Sequence, residues 1–237
     1  MPDEIAPAER HHHRDLHGGA ARAAVFGVSD GLVSNVGLIL GVAGADPAPS
    51  VVRLAGLAGL IAGAVSMAAG EYNSMKVQAE LLERELNLER IALAEFPHVE
   101  TVELAQAYQA KGVDADQARA LAEAMMSDPE RALEAHAREE LGISPEGIGS
   151  PIAAAVSSFV AFGLGAVVPL LPWFFGGKGG AIVTSLVLAV VAAIAVGWAT
   201  ASFTGRSRFR TAGRQIAFTL VPAAITYLIG SLVGITV

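Results

Sequence analysis

The sequence predicts an all-α integral membrane protein with five transmembrane helices and one helical insert between the second and the third. Of its 237 residues, 53% are hydrophobic and 16% are charged, whereas about 25% of an average soluble chain is charged. The charge is also segregated, because 71–146 holds 17 of the 23 acidic residues and none follows Glu146. A soluble domain needs charge along its whole length, so the chain is predicted to lie in a membrane with one soluble segment.

Five apolar stretches are predicted to cross the bilayer, since a spanning helix takes about 20 mostly apolar residues. They are Ala23–Ala45, Leu54–Gly70, Gly147–Gly177, Gly179–Gly205 and Gln215–Val237. The second is short, but Met75–Glu95 contains no helix breaker and is predicted to continue the same helix. The chain then divides into a polar tail (1–19), two spans (20–73), the insert (74–147) and three spans (148–237).

Turn and cap residues predict three further helices in the insert. Phe96-Pro97 ends the long second helix, and Lys111-Gly112 ends a helix that starts at His98. Asp114 is expected to cap the next helix and Asp128-Pro129 to open the last, because Asp is a favoured N-cap and Pro a favoured first residue. The insert is therefore predicted to be a small helical domain.

Basic residues are divided unequally between the two sides of the membrane. Only Arg53 and Lys178 lie on the side opposite the N-terminus and the insert. Even with the long insert left out, seven arginines lie on the other side: Arg10, Arg14, Arg22, Arg206, Arg208, Arg210 and Arg214. Short cytoplasmic loops carry an excess of Lys and Arg. The N-terminus and the insert are therefore predicted to be cytoplasmic, and the C-terminus to lie outside.

Composition and motifs exclude several classes of function. Without cysteine there are no disulfides and no thiolate metal sites. A net charge of −7 and the lack of a large basic cluster exclude a nucleic-acid binder. No Gly-rich phosphate loop, Ser/His/Asp set or HExxH motif occurs, so the chain is predicted not to be an enzyme. The sequence leaves open whether the histidines of the tail bind metal: His11, His12, His13 and His17.

Asp30 and Met67 are the candidate ligands within the spans. An ionised carboxylate in hydrocarbon costs at least about 2.5–3.5 kcal/mol on insertion scales, so it is expected to face a bundle interior, a cation path or a proton relay. The alternative is that Asp30 caps a helix broken beside Gly27 and Gly31. The thioether of Met67 is a soft ligand for a late first-row metal, although packing alone also explains a buried methionine.

Acidic residues recur at helical spacing in the insert. The groups are Glu85 with Glu89, Glu100 with Glu103, and His136 with Glu139 and Glu140. Residues three or four apart share one face of a helix, where like charges repel unless a cation joins them. Oxygen ligands together with an imidazole suit Fe(II) or Mn(II). The alternative is a charged helix surface that faces solvent.

Two long motifs resemble those of one family. Asp30–Ala45 reads DGLVSNVGLILGVAGA and is similar to the first-helix signature of the vacuolar iron transporter family. Gly63–Tyr72 reads GAVSMAAGEY and is similar to the second-helix signature of the same family. The resemblance covers residues 20–237. It implies a dimer that exports cytosolic Fe(II), and in some members Mn(II), in exchange for protons, with no tightly bound cofactor.

The resemblance also implies roles for single residues in the spans. Asp30 and Met67 match an aspartate and a methionine that line the family's translocation path. Eukaryotic members carry a further glutamate eight residues before the methionine, and that position falls here on Gly59. The chain therefore departs from the eukaryotic set of path ligands at one position.

In the insert, the family's metal-binding glutamates match four residues: Glu89, Glu100, Glu103 and Glu140. One further glutamate falls on Ala92, for which Glu95, one helical turn away, is the candidate substitute. The family's paired methionines fall on His136 and Ala137, so His136 is a candidate replacement ligand. The resemblance thus implies a metal site in the insert with altered ligands.

The sequence accordingly predicts a homodimeric, proton-coupled exporter of Fe(II) or Mn(II), held by lipid in the inner membrane of a cell. The insert would collect the cation, and Asp30 with Met67 would pass it between two subunits. One alternative is a membrane-anchored iron-oxidising or iron-storing carboxylate protein, for which Glu-x-x-His on inward helix faces is expected. Another is a membrane metal sensor, in which an aspartate within a span would be needless.

Overall fold

The structure is a computed structural model that describes residues 19–140, 142, 149–176 and 178–236. The histidines of the N-terminal tail and the C-terminal Val237 lie outside the described residues. So does most of the junction between the insert and the third span, including Leu141, where the last insert helix was predicted to end. The predictions for these positions therefore stay predictions.

The described segments form nine helices and no strand. In chain order they are α1 (Gly19–Gly44), α2 (Pro49–Glu95), α3 (Pro97–Ala110), α4 (Ala115–Met126), α5 (Pro129–Glu139), α6 (Pro151–Leu170), α7 (Pro172–Phe175), α8 (Lys178–Thr204) and α9 (Arg208–Thr236).

Five of these helices are long and apolar enough to cross a membrane, namely α1, α2, α6, α8 and α9. The predicted fold class, an all-α integral membrane protein with five spans, is thereby confirmed. The central helix is α1, because it packs against the other four. Its residues Leu32, Val36 and Leu40 form a buried cluster with alanines of α8 and α9.

Glycines allow α1 to approach its neighbours closely. A methyl group at Gly31 would overlap the carbonyl oxygen of Phe162 on α6, and one at Gly230 on α9 would overlap the carbonyl oxygen of Gly41. Within a membrane, burial of apolar surface does not drive one helix onto another, so close backbone packing is a main source of stability. These small residues therefore hold α1 between α6 and α9.

The second helix is much longer than a membrane is thick. It has 47 residues, which at 1.5 Å per residue is about 70 Å, against about 30 Å for the hydrocarbon core. Its first half is the apolar span, and its second half packs against α3 and α5. Met75–Glu95 thus continues the second span, as predicted, and forms one wall of the insert.

Both predicted aspartate caps in the insert are confirmed. Asp114 accepts a hydrogen bond of 3.0 Å from a backbone N–H in the first turn of α4. Asp128 accepts two bonds of 3.0 Å from backbone N–H groups in the first turn of α5. These bonds satisfy donors that a helix start leaves unpaired. The caps set where α4 and α5 begin, and so where the side chains of α5 point.

Several predicted boundaries differ from the structure, and the last and third spans show the clearest differences. The last span starts at Arg208 rather than Gln215, because arginine favours helices and its long side chain can reach past the membrane surface. Most of the predicted arginine loop is therefore the first turns of α9. The third stretch divides into α6 and α7, since Pro172 has no N–H with which to continue the hydrogen bonds of α6.

Candidate metal sites

Asp30 and Met67 line one cavity between α1 and α2. The cavity has a volume of about 400 Å³, and Ser34, Ser66 and Phe162 of α6 also line it. A carboxylate, two hydroxyls and a thioether therefore face the same space within the spanning part of the protein. These are oxygen and sulfur groups of the kinds that bind first-row divalent metals.

Asp30 lies inside α1, which runs unbroken from Gly19 to Gly44. The hydroxyl of Ser34, one turn further along, donates a hydrogen bond of 3.1 Å to Oδ1 of Asp30. The alternative interpretation, in which Asp30 caps a broken helix, is therefore wrong. Its carboxyl group is half-buried and lines the cavity, as expected of an ionisable residue within a span.

Met67 has apolar packing on one side and the cavity on the other. It is half-buried and packs against the buried cluster of Ala64, Phe162 and Ala166. The packing interpretation therefore holds for part of its side chain. Because the residue also lines the cavity with Asp30, packing does not exclude a role as ligand.

Three more polar residues of the cavity were not selected from the sequence: Ser34, Asn35 and Glu71. Ser34 follows Asp30 by four residues and Glu71 follows Met67 by four, so helical spacing could have found these two. Asn35 carries no such signal, since five residues along a helix lead to a different side of it. Gly59 also lines the cavity. The position at which eukaryotic members carry a further glutamate therefore lies at this cavity, but here it has no side chain.

The insert brings four carboxylates and one imidazole together from three helices. Glu89 comes from α2, Glu100 and Glu103 come from α3, and His136 and Glu140 come from the end of α5. Their ligand atoms form two groups, in each of which the atoms lie within 4.8 Å of one another. Glu89, Glu100 and His136 form the first group, and Glu100, Glu103 and Glu140 form the second. Glu100 therefore belongs to both.

The imidazole of His136 is the most buried member of the cluster, with no exposed surface. Its Nδ1 lies 2.9 Å from Glu140, 3.1 Å from Glu89 and 3.7 Å from Glu100. Its Nε2 has no hydrogen-bond partner among the described residues. The acidic ligands thus surround one nitrogen of the ring.

Burial and mutual repulsion favour the protonated form of the two inner carboxyls. Burial is the main cause that raises the pKa of Glu89, with smaller contributions from the neighbouring glutamates and an opposing one from His136. Burial likewise raises the pKa of Glu100, and the Glu103 carboxylate adds to the rise. A divalent cation would replace these protons and remove the repulsion.

Glu95 lies apart from both groups. It is exposed at the last residue of α2 and is absent from the candidate ligand sets of the described residues. Glu95 and His98 have the spacing Glu-x-x-His, but the break at Phe96-Pro97 puts them on different helices, and both are exposed. The inward-facing arrangement that di-iron carboxylate proteins use is therefore not formed by this pair.

Two other acids of the predicted insert clusters have different surroundings. Glu139 pairs with Lys111 across the insert, so its charge is balanced within the protein. Glu85 is half-buried on α2 one turn before Glu89 and belongs to neither candidate group of the described residues. For these residues the interpretation as ordinary surface charge fits the structure better.

The sequence of this chain is similar to those of known proteins. Residues 21–231 match the sequence profile of the VIT family. "Vacuolar iron transporter 1" of Oryza sativa subsp. japonica is 29% identical over 231 residues, which cover 96% of this chain and 92% of that protein. "Vacuolar iron transporter 1" of Eucalyptus grandis is 31% identical over 84% of this chain and 82% of its own. "Vacuolar iron transporter" of Acanthamoeba castellanii is 39% identical over 65% and 55%. The chain therefore belongs to the VIT family.

Proposed function

We propose that this protein exports Fe(II), and also Mn(II), from the cytoplasm in exchange for protons. Members of the VIT family are transporters and not enzymes, which confirms the prediction that the chain is not an enzyme. Relatives named as iron transporters support a metal ion, and iron in particular, as the cargo. The observation that carries the proposal is the cavity within the spans that both Asp30 and Met67 line.

The insert supplies the cation to the spans. Its four carboxylates and His136 form a ligand-rich region outside the apolar part of α2. Oxygen and imidazole ligands suit Fe(II) and Mn(II). Because α2 is continuous from the insert to the cavity, metal binding at Glu89 and the position of Met67 are linked through one rigid helix. This continuity supports the insert as the collecting site of the transporter.

Asp30 and Met67 then receive the cation in the membrane. The carboxylate compensates for part of the water that the ion gives up, because opposite charges attract more strongly in a region of low dielectric constant. The thioether adds a neutral ligand that holds an Fe(II) ion without a second charge. Protons moving the other way would neutralise the same carboxylate once the metal has left.

A second copy of the chain covers the cavity. Phe26 and Leu38 line the cavity and are also exposed at the surface of this subunit, so Asp30 would otherwise lie beside lipid. An ionised group facing hydrocarbon is costly, and a second α1–α2 face would shield it. This supports a homodimer with the path between its subunits, surrounded by the lipid of the cell's inner membrane.

The excess of Lys and Arg on one side of the spans supports a cytoplasmic insert and N-terminus, with the C-terminus outside.

Proteoliposomes test the proposed function directly. The purified protein would be reconstituted under anaerobic conditions with a metal-sensitive dye inside the vesicles. Fe(II), Mn(II), Co(II) and Zn(II) would be added outside, with a proton gradient imposed or collapsed by a protonophore. We expect flux of Fe(II) and Mn(II) that the gradient drives and the protonophore stops.

The other hypotheses give different results in the same vesicles. An iron oxidase would consume oxygen, once oxygen is admitted, without moving metal across the bilayer. A sensor would bind metal and do neither. Metal flux that the protonophore leaves unchanged would retain a transporter but contradict proton exchange.

A further inference from the structure

Asn35 holds a buried amide near the middle of the α1 span, Ala24–Gly44. The residue is 1% exposed, and its Nδ2 donates a hydrogen bond of 2.6 Å to the carbonyl oxygen of Ala166 on α6. Only the N–H side of an amide can face a carbonyl oxygen in this way. The bond therefore fixes the orientation of the amide and turns Oδ1 away from Ala166.

The Oδ1 atom faces α2 and has no hydrogen-bond partner among the described residues. A methyl group at Gly59 would overlap Cδ2 of Leu38 and would lie 3.0 Å from Oδ1 of Asn35, so the glycine leaves room beside both side chains. Buried polar atoms nearly always have a partner, and inside a membrane the requirement is stricter. Oδ1 of Asn35 is thus a hydrogen-bond acceptor that lies beside the cavity and receives no hydrogen bond from the described residues.

The surroundings of this oxygen indicate what it binds. Asn35 lines the same cavity as Asp30 and Met67, and it lies five residues after Asp30, about 7.5 Å along the helix axis. Amide oxygens are ligands for hard divalent cations, and thioethers bind softer first-row metals.

We propose that Oδ1 of Asn35 is a ligand for the divalent cation and provides an uncharged binding position deeper in the membrane than Asp30. This inference rests on the proposed function for the role of the cavity as an ion path. An uncharged position holds a cation less tightly than a carboxylate does. Weak binding there lets the ion leave Asp30 and continue, as conduction through a membrane requires.

Mn(II) binding, measured by electron paramagnetic resonance, tests the assignment without relying on transport. The full-length protein would carry Asp30→Asn, Glu100→Ala and Glu103→Ala, so that the stronger carboxylate sites of the spans and the insert are weakened and binding at the uncharged position is measured. Asn35→Leu in this background keeps the size of the side chain and removes the oxygen. We expect its Mn(II) affinity to fall at least about tenfold, the usual cost of disturbing a metal site.

Ser185→Ala is the matched control. Ser185 is also buried within the spans, and its hydroxyl donates a hydrogen bond of 2.7 Å to Pro169 on α6, but it does not line the cavity. Its removal costs one bond between helices, as Asn35→Leu does, and should leave Mn(II) affinity unchanged. If both variants lose affinity equally, Asn35 only joins α1 to α6 and the inference is wrong.

The remaining outcomes are also decisive. Wild-type affinity in Asn35→Leu, or no Mn(II) binding at all in the background protein, overturns the inference. If Asn35→Leu does not fold, Gly59→Ala decides, because its methyl group would displace Leu38 and crowd Oδ1 without removing the bond to Ala166. Unchanged affinity in that variant overturns the inference. Binding that depends on Asn35, together with no flux in the wild-type protein, would contradict the proposed function and leave the ligand assignment standing.

Discussion

The Nδ1 atom of His136 lies 2.9 Å from Oε1 of Glu140, one helical turn further along the chain. Two more carboxylates approach the same nitrogen, at 3.1 and 3.7 Å. A single buried ring is therefore enclosed by three acids from α2, α3 and the end of α5. At this position the resemblance to the vacuolar iron transporter family implies a thioether. The imidazole both separates the carboxylates and offers a nitrogen to a cation.

His136→Gln should weaken metal binding by the insert and destabilise the metal-free protein. The substitution removes the ring nitrogen and leaves Glu89 and Glu100 facing each other without a base between them. We expect the Mn(II) affinity of the full-length protein to fall about 10- to 100-fold, measured by calorimetry in detergent. His98→Gln is the control, because His98 is exposed on α3. Equal affinity in the two variants would exclude His136 as a ligand.

Glu100→Gln should have the largest effect on metal binding of any single change among the glutamates of the insert. Glu100 contributes to both groups of ligand atoms, so its loss affects both at once. Stability without metal should not fall, since one member of a repelling set becomes neutral. Glu123→Gln removes a charge of the same kind from an exposed pair with Arg119 and serves as the control. Calorimetry in which Glu100→Gln binds Mn(II) as tightly as Glu123→Gln would contradict the site.

The stability of the metal-free protein should fall as pH rises above about 4.5, the ordinary pKa of a Glu carboxyl. The pKa values of Glu89 and Glu100 are raised in the folded state. Between the ordinary and the raised values, the folded protein binds more protons than the unfolded chain. Its free energy of unfolding therefore decreases with increasing pH across this window.

Thermal unfolding in a chelator, followed by circular dichroism at several pH values, measures this slope. Three other titratable residues also face the carboxyls of Glu89 and Glu100, namely Glu103, Glu140 and His136. The comparison therefore needs a variant in which only Glu89 and Glu100 are changed. Glu89→Gln with Glu100→Gln should flatten the dependence over the window. The same slope in the variant and the wild type would show that other groups cause it.

The fold was accessible from the sequence because its main determinants are local. A run of apolar residues long enough to span is visible in the sequence of α8, and Asp128-Pro129 marks the start of α5 without reference to any other element. The start of α9 was missed since the arginines before Gln215 indicate a polar segment and not whether that segment is helical. Their helical state depends on continuation into the apolar span.

The sites were accessible only in part. Spacing showed that Glu100 and Glu103 share a face of α3, and the resemblance identified Glu89, Glu140 and His136 as further candidates. No local pattern shows that α2 and α5 bring these side chains within reach of one nitrogen. Nor does it show that Glu95 faces solvent at the end of α2. Such relationships depend on how helices pack, which one-dimensional spacing does not determine.

The topology predicts opposite results for two reporter fusions. Green fluorescent protein inserted after Gly142, in the insert, should fluoresce, because it would lie in the cytoplasm. The same protein fused after Val237 should be dark, whereas alkaline phosphatase at that position should be active, since five spans place the two ends on opposite sides. The basis is the excess of basic residues on the side of the insert. A fluorescent fusion at Val237 would contradict the proposed orientation.

Asp30→Asn should abolish transport while leaving the protein folded and the insert able to bind metal. Asn keeps the size of the side chain and can still accept the hydrogen bond from Ser34, but it removes the charge that compensates for the lost hydration of the cation. Asp30→Glu, which restores the charge about one methylene further out, should recover little activity if the ligand geometry is strict. Asp46→Asn is a matched control, because Asp46 is an exposed aspartate just past the end of α1. The measurement is Fe(II) flux into proteoliposomes containing equal amounts of folded protein. Flux in Asp30→Asn close to that of the wild type would remove Asp30 from the path.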